Sequence, residues 1–544
     1  MTSSTEDYFV AKMSTVLIVP VDGINLKLKA EQDKIDAKVE AKVKAIIDKL
    51  KASHEKFEDA DFGPTEKDEF GALSFYGNAS PAPAGSKYPR PDTLRWDRPQ
   101  YDDSKFSEGE EKGEPEEEAE EVEDDYGFGG MDDDEAEIWC KHGKLFLDGA
   151  ASGDVIQGQL GDCWFLSALA VMGANEDLLQ VCFWKQDSFK EHGLYVLRFY
   201  KDCNVIFVIV DDRLPVKNKD GRLIFAGNKD PNELWVPLIE KAYAKLHGCY
   251  KALIGGFTHY GLADMTGFCP RLIVMREGYL GFSEKHAPDE IWRLLRQYKT
   301  WHSLMGCSIQ SNPKEKHKVE ADAGNGLHMG HAYSLLGLDE IDIGTPGQPN
   351  TVRLVKLRNP WGRGEWEGAY GDRSDEREKY KSQIDLVFNQ KERVQERAEI
   401  NFMDGTFFMA FEDWLHHFTS LFVAVNFPSS WTGKRTQGQW SSDKGGNRDM
   451  GTWVSNPQIK FRLERDPGSA PDSVEYRQVF VGLYTKDSRL SMGVEYYKDP
   501  LYATPLAFDI VTDVSAKTRL TIPCSRRAAG AGAGAGAGKG AGIA

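Results

Sequence analysis

The spacing of apolar residues along the chain predicts a mixture of helices and strands. Between residues 25 and 57, apolar side chains recur at steps of three, four or seven, which indicates one amphipathic helix. We expect this helix to dock on a neighbouring element, with a short coiled coil or a partner-binding helix as the alternative. The stretch Trp164–Met172 is apolar on nearly every face, so it predicts a buried helix. Tyr195–Tyr200 and Val205–Val210 predict a strand pair joined by a turn at Lys201–Asn204.

The middle of the chain continues in the same mixed manner. Residues 232–247 predict a helix, with a kink where Pro237 interrupts the pattern, and residues 289–299 predict another. Two apolar strands follow at Ala332–Leu338 and Val352–Leu357. Helices and strands that are not regularly alternated predict an α+β core.

The pattern changes after Pro428. Short apolar segments separated by turn residues fill residues 428–526, which predicts an all-β sandwich domain. Residues 527–544 are Gly/Ala-rich and predict a tail without a core of its own. Residues 58–93 are rich in Pro, Gly and Asp and predict a linker after the first helix.

Charge is concentrated in one segment. The chain has 544 residues with 67 Lys and Arg against 85 Asp and Glu. Residues 107–137 alone hold 17 of those acids and one Lys, so the rest of the chain is close to neutral. Such a run is typical of a solvated insertion, and a cation-collecting role is the alternative. The absence of a basic excess argues against nucleic acid as a partner.

Cysteine usage and the N-terminus indicate the compartment. The eight cysteines form no C-x-x-C pair, which argues against a disulfide framework or a structural zinc site. The sequence begins MTSSTEDYFV, which is not a signal peptide, and the apolar run Val16–Val21 is too short to span a bilayer. We therefore expect a soluble protein of the cytoplasm.

The segment QGQLGDCWFLSA carries the most specific chemical signal. Cys163 opens the buried helix, with Asp162 placed as its N-cap, so the positive end of the helix dipole stabilises a thiolate. The side-chain amide of Gln157 and the backbone N–H of Cys163 are candidates to bind a developing oxyanion. A buried structural cysteine is the alternative, and it is the interpretation we give to the other seven.

A thiolate nucleophile needs an imidazole, and the imidazole needs a group that orients it. His331 stands at the start of one predicted strand and Asn359 at the end of the next. Two adjacent strands would bring these side chains to one sheet edge. His328 is the nearest competitor, but it lies in the loop before the strand.

Three segments resemble the catalytic core of calpains, the papain-like intracellular cysteine proteases. The segment QGQLGDCWFLSA resembles the cysteine box of that family, GHAYSLLGL its histidine box, and RNPWGRGEWEG its asparagine box, in the family's order. LRWDRPQY resembles the opening of the core, so the resemblance covers residues 94–427. It implies a papain-like core of two subdomains, about 94–255 and 256–427, interrupted by the acidic insertion and preceded by an extension over residues 1–93.

The resemblance also assigns roles to the residues that match its motifs. It implies that Cys163 is the nucleophile, His331 the general base and acid, and Asn359 the residue that orients His331. It further implies that Gln157 completes the oxyanion hole and that Trp361 shields the His–Asn hydrogen bond from water. The implied function is that of a cysteine endopeptidase performing limited proteolysis of intracellular proteins through a thioester acyl-enzyme.

Calpain cores are switched on by calcium at two loop sites, and the resemblance carries both sites over. At the first site Leu147, Gly149 and Asp154 match, while the position of a second carboxylate is assigned to Asn204. Loss of one carboxylate oxygen donor predicts weaker calcium binding there.

At the second calcium site the resemblance keeps three acids, Glu365, Asp372 and Asp404. Thr406 stands where the family has a further Glu. We expect calcium to act mainly through this second site, with solvated loop acids as the alternative interpretation of these residues.

The resemblance limits the partners as well. Residues 428–526 resemble the calpain-type β-sandwich, a candidate surface for calcium-dependent or lipid contact at a membrane. No EF-hand loop pattern D-x-[DN]-x-[DN]-G occurs, so no EF-hand small subunit is expected. The expected partners are protein substrates. A non-catalytic binding protein is the rival function, and a transglutaminase-like acyl transferase is a more distant one.

Overall fold

The computed structural model describes most of the predicted protease core and part of the region before it. The described residues are 16–20, 29–63, 94–101, 140–186, 188–201, 204–219, 221–275, 286–309, 321–388, 404–429, 431 and 480. The acidic insertion at 107–137, nearly all of the predicted β-sandwich and the Gly/Ala tail lie outside these residues.

Helices and strands both contribute throughout the described part of the chain, as the predicted α+β class requires. The α-helices are α1 (Lys29–Ser53), α2 (Cys163–Gly173), α3 (Glu176–Gln180), α4 (Trp235–Leu246), α5 (Thr258–Thr266), α6 (Pro288–Thr300), α7 (Asp375–Lys379), α8 (Lys381–Phe388) and α9 (Phe411–His417). The strands that start before residue 270 are β1 (Val16–Pro20), β2 (Leu94–Asp97), β3 (Val155–Ile156), β4 (Leu194–Lys201), β5 (Asn204–Asp211), β6 (Leu214–Lys217), β7 (Gly227–Asn228) and β8 (Cys269–Val274). The later strands are β9 (Leu304–Ile309), β10 (Ala321–Gly324), β11 (Leu327–Met329), β12 (His331–Asp342), β13 (Thr351–Arg358), β14 (Thr406–Ala410) and β15 (Ser420–Val425).

The second half of the core is built on an antiparallel sheet. Its six strands lie in the order β14-β13-β12-β9-β15-β8. One face covers a core of aliphatic and aromatic side chains that includes Tyr333, Leu357 and Trp414. Because β12 and β13 are antiparallel, the start of β12 and the end of β13 lie at the same edge, which is where His331 and Asn359 are found.

The first half of the core surrounds helix α2, every residue of which is buried. This matches the sequence, since Cys163–Gly173 offers no polar face to solvent. Gly255 and Gly256 lie at the boundary expected between the two halves. Gly255 has a φ of +71° and its N–H donates to Gly161 O, while a Cβ at Gly256 would lie 2.4 Å from the Trp164 ring. Only glycine allows the chain to pass this close to the indole.

The amphipathic helix α1 docks on the hairpin formed by β4 and β5, as expected for a helix with one apolar face. Its residues Ile35, Val39 and Val43 are buried against one side of the hairpin. Alternate hairpin residues such as Val196 and Phe207 face α1, while their neighbours face the first-half core. Period-two alternation therefore buries both faces of this hairpin.

Residues 58–63 pack into the core, although composition assigns them to the linker. Lys245 on α4 donates to the Asp59 carboxylate at 2.6 Å, and neither side chain has exposed surface. Lys245 also donates to Ile209 O at 2.8 Å, and the N–H of Asp59 donates to the carboxylate of Asp211 at 2.8 Å. Long-range pairing of this kind leaves no trace in local composition, which explains why the sequence pattern missed it.

Pro237 does not interrupt its helix. It is the third residue of α4, which runs without a break from Trp235 to Leu246. The first turn of a helix has no use for the N–H that proline lacks, so the expected kink is wrong. Among the described residues, none of the helices combines the length and the apolar character needed to cross a bilayer.

The buried Asp59–Lys245 pair predicts a stability effect. Asp59→Ala would leave the ammonium group of Lys245 buried without its carboxylate, so we expect a loss of about 3–5 kcal/mol in the free energy of unfolding. Guanidinium unfolding followed by fluorescence measures it. The exposed pair Lys185–Glu40 is the matched control, and Glu40→Ala should cost no more than about 0.5 kcal/mol. Equal losses in both variants would contradict the docking described for residues 58–63.

A second prediction concerns His259, which is buried among Phe257, Tyr260 and Phe422. Burial lowers its pKa from 6.5 to about 3. Below pH 6.5 the unfolded chain therefore binds a proton that the folded chain excludes, so this contribution is full above pH 6.5 and is lost as the pH falls. We expect His259→Phe to flatten the decrease in unfolding free energy between pH 6.5 and pH 3 by about 1.4 kcal/mol per pH unit.

The control for this prediction is an exposed histidine. His302 lies in a turn with a φ of +52°, which asparagine tolerates, so His302→Asn removes a histidine without removing a buried one. Its stability should follow the wild-type pH dependence. An unchanged slope in His259→Phe would show that His259 is protonated in the folded protein.

Candidate active site

Cys163 is the first residue of α2, where the sequence places it. Its side chain is 8% exposed, and the following residues carry the hydrogen bonds that start the helix, from the N–H groups of Phe165 and Leu166 to Asp162 O. The thiol therefore lies at the positive end of a buried helix, where a thiolate is stabilised.

Asp162 occupies the N-cap position but does not cap the helix with its side chain. The carboxyl group is fully buried and interacts instead with the side chain of Glu240 on α4. Burial, and then the Asp162 carboxylate, raise the pKa of Glu240 well above its usual range. Two carboxyl groups can be buried together when one keeps its proton, so the raised pKa of Glu240 favours a protonated Glu240 beside Asp162. The expected side-chain cap is wrong, because a tertiary partner competes for the same oxygen atoms.

His331 and Asn359 are hydrogen-bonded to each other at the edge of the six-stranded sheet. His331 Nε2 lies 2.8 Å from Asn359 Oδ1, and the two residues are 1% and 0% exposed. Asn359 Nδ2 donates to Gly364 O at 3.0 Å, and its Oδ1 also accepts the N–H of Trp361 at 3.1 Å. These bonds fix the orientation of the amide, so Oδ1 faces the imidazole.

This arrangement determines which imidazole nitrogen can act as a base. Because Asn359 Oδ1 only accepts, Nε2 carries the proton and Nδ1 presents a lone pair. Burial lowers the pKa of His331 to about 3, against the opposing effect of Asn359 and with a smaller contribution from His328. The imidazole is therefore neutral at physiological pH.

The ring of Trp361 covers the His–Asn pair. Its centroid lies 4.5 Å from that of His331 and 4.5 Å from that of His328. The indole thus lies against both histidines, whose own ring centroids are 6.3 Å apart. His328, the competitor for the role of base, has no contact with Asn359 among the described hydrogen bonds.

Gln157 precedes Cys163 in the chain and also contacts the segment that follows Asn359. Its backbone N–H donates to Pro360 O at 3.0 Å, and its side-chain Nε2 donates to Leu160 O at 2.8 Å. A Cβ at the next residue, Gly158, would lie 2.2 Å from Phe225 O, so the loop passes very close to a neighbouring backbone. The amide has a second N–H besides the one donated to Leu160 O.

The acids of the predicted second calcium site lie close enough to influence one another. Burial, followed by Asp372 and Asp404, raises the pKa of Glu365 to about 8. Burial is also the main cause that raises the pKa of Asp372 to about 6. Glu365 accepts the N–H of Gly405 at 2.9 Å, and Asp404 accepts that of Thr406 at 2.7 Å. Mutual repulsion of this kind fits a place where a cation would be stabilising.

The predicted first site is arranged differently from the sequence assignment. Asp154 accepts the N–H of Ala151 at 2.6 Å. The carboxylate that reaches this loop is Glu233, which accepts the N–H of Leu147 at 2.9 Å, whereas Asn204 pairs with Lys201 in the β4–β5 turn. The assignment to Asn204 is therefore wrong. Glu233 lies 79 residues after Asp154 in the chain, so local spacing does not reveal it.

Neither loop forms a ready-made metal centre. Within the described ranges, no three His, Cys, Asp or Glu side chains converge as ligands of one ion. A positively charged side chain already lies at the first loop. Buried Arg358 donates to Gly153 O at 3.1 Å and interacts with Asp154 and Asp404. The second group of acids therefore fits calcium better than the first does, although its ligand set would have to be completed by rearrangement or by backbone oxygens.

Comparison with known proteins agrees with this architecture. The calpain family cysteine protease domain matches residues 135–425. Human calpain-8 is 33% identical over 389 residues, which cover 66% of this chain and 51% of that protein. Calpain-A of Drosophila melanogaster is 35% identical over 65% of this chain and 42% of its own length. The human calpain-2 catalytic subunit is 33% identical over 64% of this chain and 48% of its own length.

The chain thus spans about half the length of the curated relatives it matches. The matched region contains Cys163, His331 and Asn359 and every strand of the six-stranded sheet. On the extent of this match, the chain belongs to the calpain family of cysteine proteases.

Proposed function

We propose that this chain is a cysteine endopeptidase in which Cys163 is the nucleophile and His331 the general base and acid. The observation that carries the proposal is the buried His331–Asn359 bond, which leaves a neutral imidazole with Nδ1 as its basic atom. The loop before Cys163 lies beside this pair, because the backbone of Gln157 bonds to Pro360. From these contacts we infer that the nucleophile, the base and the orienting residue are neighbours.

The chemistry follows from these positions. Nδ1 of His331 takes the thiol proton as the sulfur of Cys163 attacks the peptide carbonyl carbon. The backbone N–H of Cys163 and the side-chain amide of Gln157 bind the oxyanion that forms. The imidazolium, oriented by Asn359, then protonates the departing amine and leaves a thioester. Water activated by the same imidazole hydrolyses the thioester and regenerates the thiol.

The wider setting is part of the proposal. Intracellular proteins cut at a limited number of places in the cytoplasm are the proposed substrates, on the strength of the match to the calpain family cysteine protease domain. The acidic run at 107–137 is proposed to be an insertion in the first half of the core. The region 428–526 is proposed to be a β-sandwich with a role in calcium or lipid contact at membranes.

The nucleophile gives a direct test. Cys163→Ala should reduce hydrolysis of a fluorogenic peptide to background while preserving the thermal unfolding midpoint, because alanine is an excellent helix residue. Iodoacetamide should modify Cys163 ahead of the buried cysteines, since burial raises the pKa of Cys140 and of Cys182 to about 12. Peptide mapping by mass spectrometry reads out the order of labelling.

The control for this test is Cys182→Ala, which removes a buried cysteine far from the helix start and should keep full activity. Undiminished hydrolysis in Cys163→Ala would contradict the proposed nucleophile. Inhibitor labelling of Cys163 without any peptide hydrolysis would favour the non-catalytic rival, and amine incorporation would favour the transglutaminase-like one.

We propose further that calcium binds near Glu365, Asp372 and Asp404 and activates the enzyme. The support is the burial of these acids and then the repulsion among them, which together raise the pKa of Glu365 to about 8 and that of Asp372 to about 6. Calcium needs the ionised forms, so binding releases protons. A bound ion would neutralise the charge of these carboxylates. Glu365 itself accepts the N–H of Gly405 and so holds the loop next to Asn359.

The pH dependence of calcium binding tests this proposal. Apparent affinity should rise between pH 6 and pH 8, because both carboxyl groups lose their protons in that range. The increase in unfolding midpoint with added calcium measures it independently of activity. Glu365→Gln combined with Asp372→Asn should remove the shift and the activation, and Asp154→Asn should matter less.

The matched control carries the same loss of two charges on exposed residues of the same region, Glu367→Gln combined with Glu378→Gln. It should respond to calcium as the wild type does. Identical activity and identical stability in excess chelator and in millimolar calcium would show that calcium does not act on this chain.

A further inference from the structure

A pair of buried serines joins the helix of Cys163 to the strand of His331. Ser334 on β12 donates from Oγ to the main-chain oxygen of Ser167 on α2 at 2.8 Å. The two hydroxyl oxygens lie 3.4 Å apart, and both side chains are fully buried. The bond crosses from one half of the core to the other.

The position of this bond relates it to the reacting groups. Ser167 lies one helical turn after Cys163, about 6 Å along the helix axis. Ser334 lies three residues after His331, about 10 Å along the strand. Ala332, between His331 and Ser334, packs into the first-half core, so this side of β12 presses on the region of α2. The start of α2 and the start of β12 are therefore related through a short and rigid path.

A second contact crosses between the halves on the other side of Cys163, where the Gln157 N–H donates to Pro360 O. Cys163 thus lies between two cross-half hydrogen bonds, one before it in the chain and one after it. The Gln157–Pro360 bond holds a loop, whereas the serine pair joins helix α2 to strand β12. Because water cannot replace the partner of a buried hydroxyl without cost, the Ser334–Ser167 bond resists opening.

We propose that Ser334 is a positioning residue, whose bond to the Ser167 carbonyl sets the distance between the Cys163 thiol and the His331 imidazole. The inference rests on the proposed function of these two residues. A thiol–imidazole hydrogen bond tolerates only about 2.6–3.2 Å between the heavy atoms, and a displacement of about 1 Å can cost 100-fold in rate. A single bond at the base of both elements is well placed to control that separation.

The test is Ser334→Ala in the full-length protein. We expect kcat to fall at least about tenfold while KM changes less than about twofold, because only the reacting groups are displaced. The rate of Cys163 alkylation by iodoacetamide at pH 7 should fall in parallel. In Ser167→Ala the acceptor carbonyl remains, so this variant should keep at least about half of the wild-type kcat.

The matched control removes a hydroxyl–carbonyl bond of the same kind within one half of the core. Thr419 donates from Oγ1 to Ser308 O at 3.1 Å and is buried, so Thr419→Val loses a comparable bond without touching α2. We expect a similar decrease in unfolding midpoint in both variants, and a decrease in kcat and in alkylation rate only in Ser334→Ala.

The outcomes separate this inference from the proposed function. If Ser334→Ala loses no more kcat and no more alkylation rate than Thr419→Val, Ser334 does not position the reacting groups. If Ser334→Ala does not fold, Ser167→Ala decides, because a tenfold loss there would contradict the assignment to the main-chain acceptor. If the wild type has no Cys163-dependent peptidase activity, the proposed function fails, and the alkylation rates still decide the role of Ser334.

Discussion

The arrangement of this protein depends on one helix that has no face for water. All residues of α2 from Cys163 to Gly173 are buried, so the helix must be enclosed by both halves of the core. Aliphatic and aromatic side chains of the first half surround it, and Leu304, Ala332 and Ala424 of the second half complete the same cluster. The apolar composition of the helix therefore does more than stabilise the fold. It obliges the two halves to meet at the residue that opens the helix, which is Cys163.

Burial also requires that the charged side chains around this helix have partners. Glu240, whose pKa is raised, lies beside Asp162, the residue that precedes Cys163. Lys241 pairs with Asp211, and neither side chain has exposed surface. On the same helix α4, Lys245 reaches the Asp59 of the N-terminal segment. Each buried group has a partner of its own, as a low-dielectric interior requires. Helix α4 thus links the N-terminal segment, through successive turns, to the residue that precedes Cys163.

The sequence predicted those features that depend on local pattern. Helix α2, the β4–β5 hairpin and strands β12 and β13 follow from apolar periodicity, and the structure confirms them, with β12 running to Asp342, four residues past its predicted end at Leu338. What it could not predict depends on residues far apart in the chain. Asp162 fails to cap its helix because Glu240 lies beside it, and Glu233 rather than Asn204 reaches the loop at Leu147. A pattern rule assigns such residues to their nearest neighbours, and tertiary contacts decide otherwise.

Gly405 connects the acids proposed to bind calcium to the end of the sheet where His331 and Asn359 lie. Gly405 donates its N–H to Glu365 and accepts the N–H of Asn359 with its carbonyl oxygen. Its φ of +80° and the 2.7 Å separation of a hypothetical Cβ from Asn359 O leave room for glycine alone. A change in the charge of Glu365 therefore acts on the peptide that holds Asn359, and through Asn359 on the imidazole of His331. One short path of hydrogen bonds thus joins Glu365 to His331, and this gives a cation at Glu365 a physical means of adjusting the His331–Asn359 pair.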